Sequence, residues 1–290
     1  MDNPRPIVVH MIGNAHIDPV WLWRMREGRA EVLATYRSAL ERMEETPDFV
    51  FTSGGTVTYR WVQEDDPAMF AAIQARVAEG RWALVNGWWV QPDCNLPCGE
   101  SLVRQGLYGQ MFFEKLFGVR AVVGYNIDSF GHNWQIPQIL SKMGIKYYVF
   151  MRPNKYDKEL PSPLFWWVAP DGSRVLAYRI PQPYGAVGKR ISEVFHKAVE
   201  EEWGRLPVMM MLCGRGDHGG GPSQDDLDMV KGFRLEGYDV TFATPEEFFR
   251  EAEQIADGLP EVKEDLQHYA RGCYTSVTAV KKLNLSLIHI

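Results

Sequence analysis

Short apolar runs rich in Val, Ile, Tyr and Phe alternate along the chain with stretches whose apolar residues recur every three to four positions. The runs at 7–12, 49–52, 82–85, 121–125, 146–150, 208–212 and 240–243 predict seven strands. The periodic stretches predict helices over 22–43, 67–79, 99–117, 133–143, 191–203, 223–235 and 245–256. Gly118, Gly144 and Gly237 stand just past three of them, where a left-handed terminating residue is expected. Asp66-Pro67 and Thr244-Pro245 read as a cap followed by a first turn. Such an alternation predicts an α/β fold of parallel strands with right-handed crossovers. One excursion, 164–180, carries Pro170-Asp171-Gly172-Ser173 at its middle and predicts a β-hairpin inserted in the series. Met209-Met210-Met211 falls within a predicted strand and reads as buried core rather than as a cofactor box.

In parallel α/β folds, ligand chemistry collects where strands end. His16 and Asp18 follow the first predicted strand, Trp88 and Trp89 the third, Asp128 the fourth, Arg152 the fifth, and Asp217 the strand ending at Leu212. Reactive side chains at most strand ends are more than a scaffold needs.

Composition narrows the function without naming it. Lys and Arg number 31 against 37 Asp and Glu, a net charge of -6, which argues against nucleic acid as the main partner. Hydrophobic residues make up 46% and charged residues 23%, as in a folded globular chain. No apolar run approaches the roughly 18 residues of a membrane helix, and the first residues lack the pattern of a signal peptide. Four cysteines do not amount to a disulfide framework, so a reducing cytoplasm is the expected compartment. The 12% aromatic content supplies a core and also the flat platforms on which sugars stack.

His16-Ile17-Asp18 is a His-x-Asp element. At a strand end, residues two apart point the same way, so an imidazole and a carboxylate can share one divalent cation such as zinc, manganese or cobalt. Asp128 lies in Asn126-Ile127-Asp128-Ser129-Phe130-Gly131-His132, where capping of the next helix accounts for an Asp as well as catalysis does. Asp217 lies in a loop with five glycines in the eight positions 214–221, which suggests close backbone approach or positive φ. No Gly-Lys-Ser/Thr follows, so a phosphate cradle is disfavoured. Two carboxylates on different strand ends, with aromatic walls between, suit glycoside hydrolysis.

The runs Gly13-Asn14-Ala15-His16-Ile17-Asp18-Pro19-Val20-Trp21, Asn126–Asn133 and Gly216–Pro222, with the segments 88–101 and 271–276, resemble the α-mannosidases of glycoside hydrolase family 38. The resemblance runs in order from about residue 7 to 283. It implies a retaining, metal-dependent α-mannosidase on a seven-stranded parallel β/α barrel, acting on terminal mannose of oligosaccharides or mannosyl conjugates. By that resemblance His16, Asp18 and Asp128 bind Zn²⁺ or another divalent cation. Asp128 is also the nucleophile, and Asp217 the acid/base. Trp21, Trp88, Asp93 and Arg152 are the expected substrate-binding residues, Arg152 by fixing the nucleophile.

Relatives of this kind continue past the barrel, and their fourth metal ligand is a His from that later part. The expectation is a catalytic domain over 1–283 that ends early, followed by an atypical, non-native tail at 284–290. Such a chain should bind metal weakly or be inactive. It should also expose the surface where later domains dock and so tend to form homo-oligomers. Two other readings compete: a metal-dependent carbohydrate deacetylase, which activates water on its metal, and a carbohydrate-binding fragment without turnover.

Overall fold

The structure, a computed structural model, describes residues 6–181, 183–267, 270, 272–274 and 277–287. Its hub is the first strand, β1 (Ile7–Ala15). Along one edge β1 pairs in parallel with β8 (Val208–Arg215), in register from Val8 opposite Val208 to Ala15 opposite Arg215. Its other edge is shared. β9 (Tyr238–Phe242) lies beside residues 7–11, and β2 (Phe51–Gly54) beside Gly13 and Asn14. β3 (Trp82–Val85) pairs in parallel with β2 and completes this sheet.

A second sheet holds β4 (Val123–Asn126), β5 (Tyr147–Phe150), β6 (Leu164–Val168), β7 (Arg174–Arg179) and β10 (Glu261–Val262), in the order β10-β6-β7-β5-β4. All of its pairings are parallel except the β6–β7 hairpin. The α/β class with parallel sheets is therefore as expected, but three details differ. Among the described residues no strand ladder joins the two sheets, so a closed seven-stranded barrel is not found. The predicted strand at 240–243 flanks only the lower part of β1 and keeps alternate residues exposed. β7, expected as part of an insertion, instead joins β5 in parallel and is buried from Val175 onward. Burial on both faces is what a central strand requires, and β7 has it where β9 does not.

Helices cover the sheets through spaced apolar faces. In α1 (Met25–Glu45) the buried set includes Val32, Tyr36, Ala39 and Met43, one stripe of the helix. α3 (Pro67–Ala78) starts where the Asp66 carboxylate accepts the Met69 N–H at 3.0 Å. α4 (Gly99–Phe117) has the predicted bounds and stops at Gly118 with φ 71°. α8 (Pro245–Ala252) opens on a reciprocal Thr244–Glu247 capping box. α5 (Ile136–Lys142), α6 (Lys189–Glu200) and α7 (Gln224–Gly232) fall within or near the predicted stretches, and α9 (Thr278–Leu287) follows the last strand. Met209, Met210 and Met211 are wholly buried, as expected of core.

Two helices were not predicted, α9 and α2 (Thr56–Asp65). α2 begins Thr-Val-Thr-Tyr, a β-branched and aromatic run of poor helix propensity. Its first N–H groups go to a distant loop: Thr56 donates to the Trp88 carbonyl at 3.1 Å and Val57 to the Trp89 carbonyl at 2.9 Å. Satisfying these otherwise orphaned donors offsets the weak propensity. No helix among the described residues is long and apolar enough to cross a membrane.

Candidate functional site

The β1–β8 pairing does not stop where the strands do. Beyond Ala15 the His16 N–H donates to the Arg215 carbonyl at 3.1 Å, and the Asp18 N–H to the Asp217 carbonyl at 2.7 Å. This continuation fixes the His-x-Asp element, and both side chains turn to one point. Asp18 Oδ1 lies 3.3 Å from His16 Nε2, and Asp128 Oδ2, arriving from the end of β4, lies 3.5 Å from it. One donor atom from each residue falls within a 4.8 Å group.

The chemistry of that group suits a divalent cation. His16 Nε2 is buried without a hydrogen-bond partner, although two carboxylate oxygens face it. Burial would lower the imidazole, but the carboxylates of Asp128 and then Asp18 outweigh it and hold His16 at about 9. Likewise burial would raise Asp128, yet His16 and Arg152 together keep its carboxyl below the ordinary carboxylate range. An imidazole nitrogen with two carboxylates is a borderline ligand set of the kind zinc or manganese takes.

Arg152, from the loop after β5, binds Asp128 twice through Nη1: once to carboxylate Oδ1, and once to the main-chain carbonyl at 3.3 Å. Its guanidinium also lies 4.8 Å from the centre of the Phe130 ring. The Arg152 carbonyl is in turn 2.8 Å from His132 Nε2, and His132 Nδ1 is 2.8 Å from the Tyr148 hydroxyl. Burial lowers His132 to about 4, so this imidazole is a neutral brace inside the fold.

Asp217, past the end of β8, has φ 62°, in the left-handed region. Its Oδ1 accepts a hydrogen bond from the Tyr184 hydroxyl at 2.7 Å. The Tyr184 ring leans on His16, with centres 4.7 Å apart. Burial, followed by the neighbouring Asp217, raises the Tyr184 phenol and keeps it protonated. Gly216 makes room for this ring: a Cβ there would sit 1.9 Å from Tyr184 Cε2. The glycine-rich loop thus meets both expectations, positive φ and close approach.

A cavity of about 350 Å³ opens beside His16, Asp18 and Asp128, near the lower end of the range of ligand pockets. Asp93 lines it, with Oδ1 accepting the N–H groups of Asn95 and Leu96 at 2.8 and 3.0 Å. Cys273 and Tyr274, from the 271–276 segment, line it too, while Arg271, Thr275 and Ser276 lie outside the described residues. Trp21 is not in the cavity wall; it is 54% exposed and meets Trp23 edge-on. Asp217 is likewise outside the wall and is linked to it through Tyr184 and His16.

Trp88 requires a correction. Its side chain is 0% exposed, so it offers no face to a sugar. The indole N–H instead donates to Asn126 Oδ1 at 3.1 Å. Sequence reasoning also missed Tyr184 and passed over Asn126 as a mere neighbour of Asp128. Tyr184 sits in an irregular Pro- and Gly-containing segment with no periodicity to flag it, and Asn126 is distinguished only by contacts distant in sequence.

The model of the glycosyl hydrolases family 38 N-terminal domain matches residues 6–272. Human alpha-mannosidase 2C1 is 34% identical over 287 residues, which cover 95% of this chain and 27% of that protein. Alpha-mannosidase G of Dictyostelium discoideum is 32% identical over 282 residues, covering 95% and 26%. The crystal structure of an alpha-mannosidase from Enterococcus faecalis V583 shares the fold with a TM-score of 0.78 at 18% identity, covering 89% of this chain and 31% of that one. The chain spans about a quarter of the length of the curated relatives it matches.

Proposed function

The chain belongs to glycosyl hydrolase family 38, and from that premise we propose that residues 1–283 form a retaining α-mannosidase catalytic domain acting on terminal α-linked mannose. The observation that carries this reading is the convergence of His16, Asp18 and Asp128 on one point at the mouth of a cavity. Those three residues would hold Zn²⁺ or a similar cation, which when bound supplies positive charge for sugar hydroxyls to coordinate.

Asp128, kept ionised by His16 and Arg152, attacks the anomeric carbon and forms a mannosyl ester as the bond to the leaving oxygen breaks. Asp217 gives that oxygen a proton. Tyr184 occupies Asp217 Oδ1, which leaves the other carboxyl oxygen to carry the proton. A water molecule then attacks the anomeric carbon as Asp217 takes its proton, the bond to the Asp128 carboxylate breaks, and mannose leaves with its anomeric configuration retained. Asp93 and the exposed Trp21 would meet parts of the substrate beyond the ring at the triad. The seven strands β1–β5, β7 and β8 would form a barrel left unladdered at two seams. In support, the Asn86 N–H donates to the Val123 carbonyl at 2.7 Å, and the Tyr178 hydroxyl bonds Met210 at 3.3 and 3.1 Å.

The test is hydrolysis of p-nitrophenyl α-mannoside by the purified chain, after chelation and again with zinc restored. Activity that disappears with the chelator and returns with zinc, releasing α-mannose first by NMR, is the expected result. If the fourth ligand lies outside this chain, the return needs excess zinc. Acetate release from an N-acetylated sugar without mannoside hydrolysis would replace this reading with a deacetylase. Mannose binding that survives Asp128→Ala, with no turnover by the parent chain, would replace it with a binding fragment.

A further inference from the structure

We propose that a buried network built on Trp88, Asn126 and Ser129 is the positioning device for Asp128, a claim that rests on the role given to Asp128 above. β3 and β4 are neighbours, yet no ladder joins them among the described residues: Asn86, just past β3, donates its N–H to the Val123 carbonyl at 2.7 Å and accepts the Tyr125 N–H on its side-chain oxygen at 3.2 Å. Asp128 rides on the β4 side of this seam, while His16 and Asp18 ride on β1 in the other sheet. A ligand carboxylate must be held to within about 0.5 Å to be useful. Main-chain pairing across the seam does not supply that precision.

The loops above the seam do. Asn126 is wholly buried and both ends of its amide are used. Oδ1 accepts the Trp88 indole N–H at 3.1 Å, and Nδ2 donates to Cys94 Sγ and Ser129 Oγ, each at 3.1 Å. The Ser129 hydroxyl donates onward to the Pro92 carbonyl at 3.0 Å. The Gln91 amide, oriented by its neighbours, donates to the Tyr125 carbonyl at 3.2 Å and accepts the Asp128 N–H at 3.3 Å. Asp128 is therefore held at its own N–H and on both flanks, at 126 and 129, by one loop. That loop is anchored from behind, since the Trp88 carbonyl accepts both the N–H and the hydroxyl of Thr56, at 3.1 and 2.9 Å. Shifting Asp128 would break several buried hydrogen bonds together, each costly to leave unmade.

The test uses Ser129→Ala and Trp88→Phe, with Tyr59→Phe as a control. Tyr59 is equally buried, and its hydroxyl bonds the Ser53 carbonyl and the Trp82 indole N–H, neither of them in these loops. Zinc affinity by calorimetry, kcat and KM for the mannoside, thermal stability and a crystal structure are measured for each. The two network variants are expected to bind zinc about 10- to 100-fold more weakly, the scale for residues that orient metal ligands. Their kcat should fall more than KM rises, and the Asp128 carboxylate should be displaced from His16. Tyr59→Phe should lose stability while keeping parental zinc affinity. Network variants that are less stable but keep parental zinc affinity, with Asp128 unmoved in the crystal, would overturn the proposal. If the parent chain takes up no zinc, the metal reading of the site falls, and the position of Asp128 in the crystals still decides this one.

Discussion

Two junctions in the molecule are built by different means. Eight consecutive registered pairs join β1 to β8, and the pairing continues past the strand ends to Asp18 and Asp217. At the β3–β4 junction one main-chain bond is followed by a cluster of side-chain bonds between loops. His16, Asp18 and Asp217 are thus placed by backbone register, which tolerates many side-chain changes. Asp128 is placed by particular side chains, which do not. The site straddles the two, so its weaker half should fail first under mutation or acid.

The largest effect should come from breaking the side-chain half at its end point. Asp128→Ala is expected to lower kcat for p-nitrophenyl α-mannoside by roughly 10⁴- to 10⁶-fold, the scale for removing a nucleophile that works as part of a unit. Asp217→Ala, on the backbone-placed side, should cost about 10²- to 10⁴-fold, the range of general acid–base catalysis. A larger loss for Asp217 than for Asp128 would reverse the roles assigned to them.

Acid should separate the two halves next. His132 is held at about 4, below its ordinary 6.5, so the unfolded chain takes up a proton before the folded one does. Its contribution is fully present above pH 6.5 and is lost as the pH falls towards 4, amounting to about 3 kcal/mol. Urea unfolding at pH 7 and pH 5 checks this: His132→Gln should flatten the dependence in that window, and an identical slope in both proteins would refute it. The smallest effect belongs to Trp21→Ala. Exposed and outside the cavity wall, Trp21 should change KM by about twofold, the scale of a surface substitution, and leave kcat alone.

What could be read from the sequence divides along the same line. Strand and helix periodicity located the ends of β4 and β5 to within one residue and placed those of β1 and β8 three residues early, which still marked the neighbourhoods of His16, Asp128, Arg152 and Asp217. Local caps gave the starts of α3 and α8. Features decided by contacts between distant segments were not legible. α2 forms because carbonyls 32 residues away accept its first N–H groups. Trp88 turns inward because Asn126 offers an acceptor. Whether an aromatic residue near a site faces ligand or core depends on such partners, and no local pattern encodes them. Which strand edges form ladders was not legible for a similar reason, since a count of strands carries no information about pairing.

Residue 13 shows how little space decides the height of the imidazole three positions later. β1 changes neighbours here, leaving β9 below and meeting β2 at Phe51. A Cβ at Gly13 would lie 2.3 Å from the Phe49 ring and 2.6 Å from the Val50 carbonyl. Even one methyl would wedge this three-way crossing apart and carry His16 with it. Bulk packed beneath the site, out of reach of its side chains, would then detune the reacting groups without touching them.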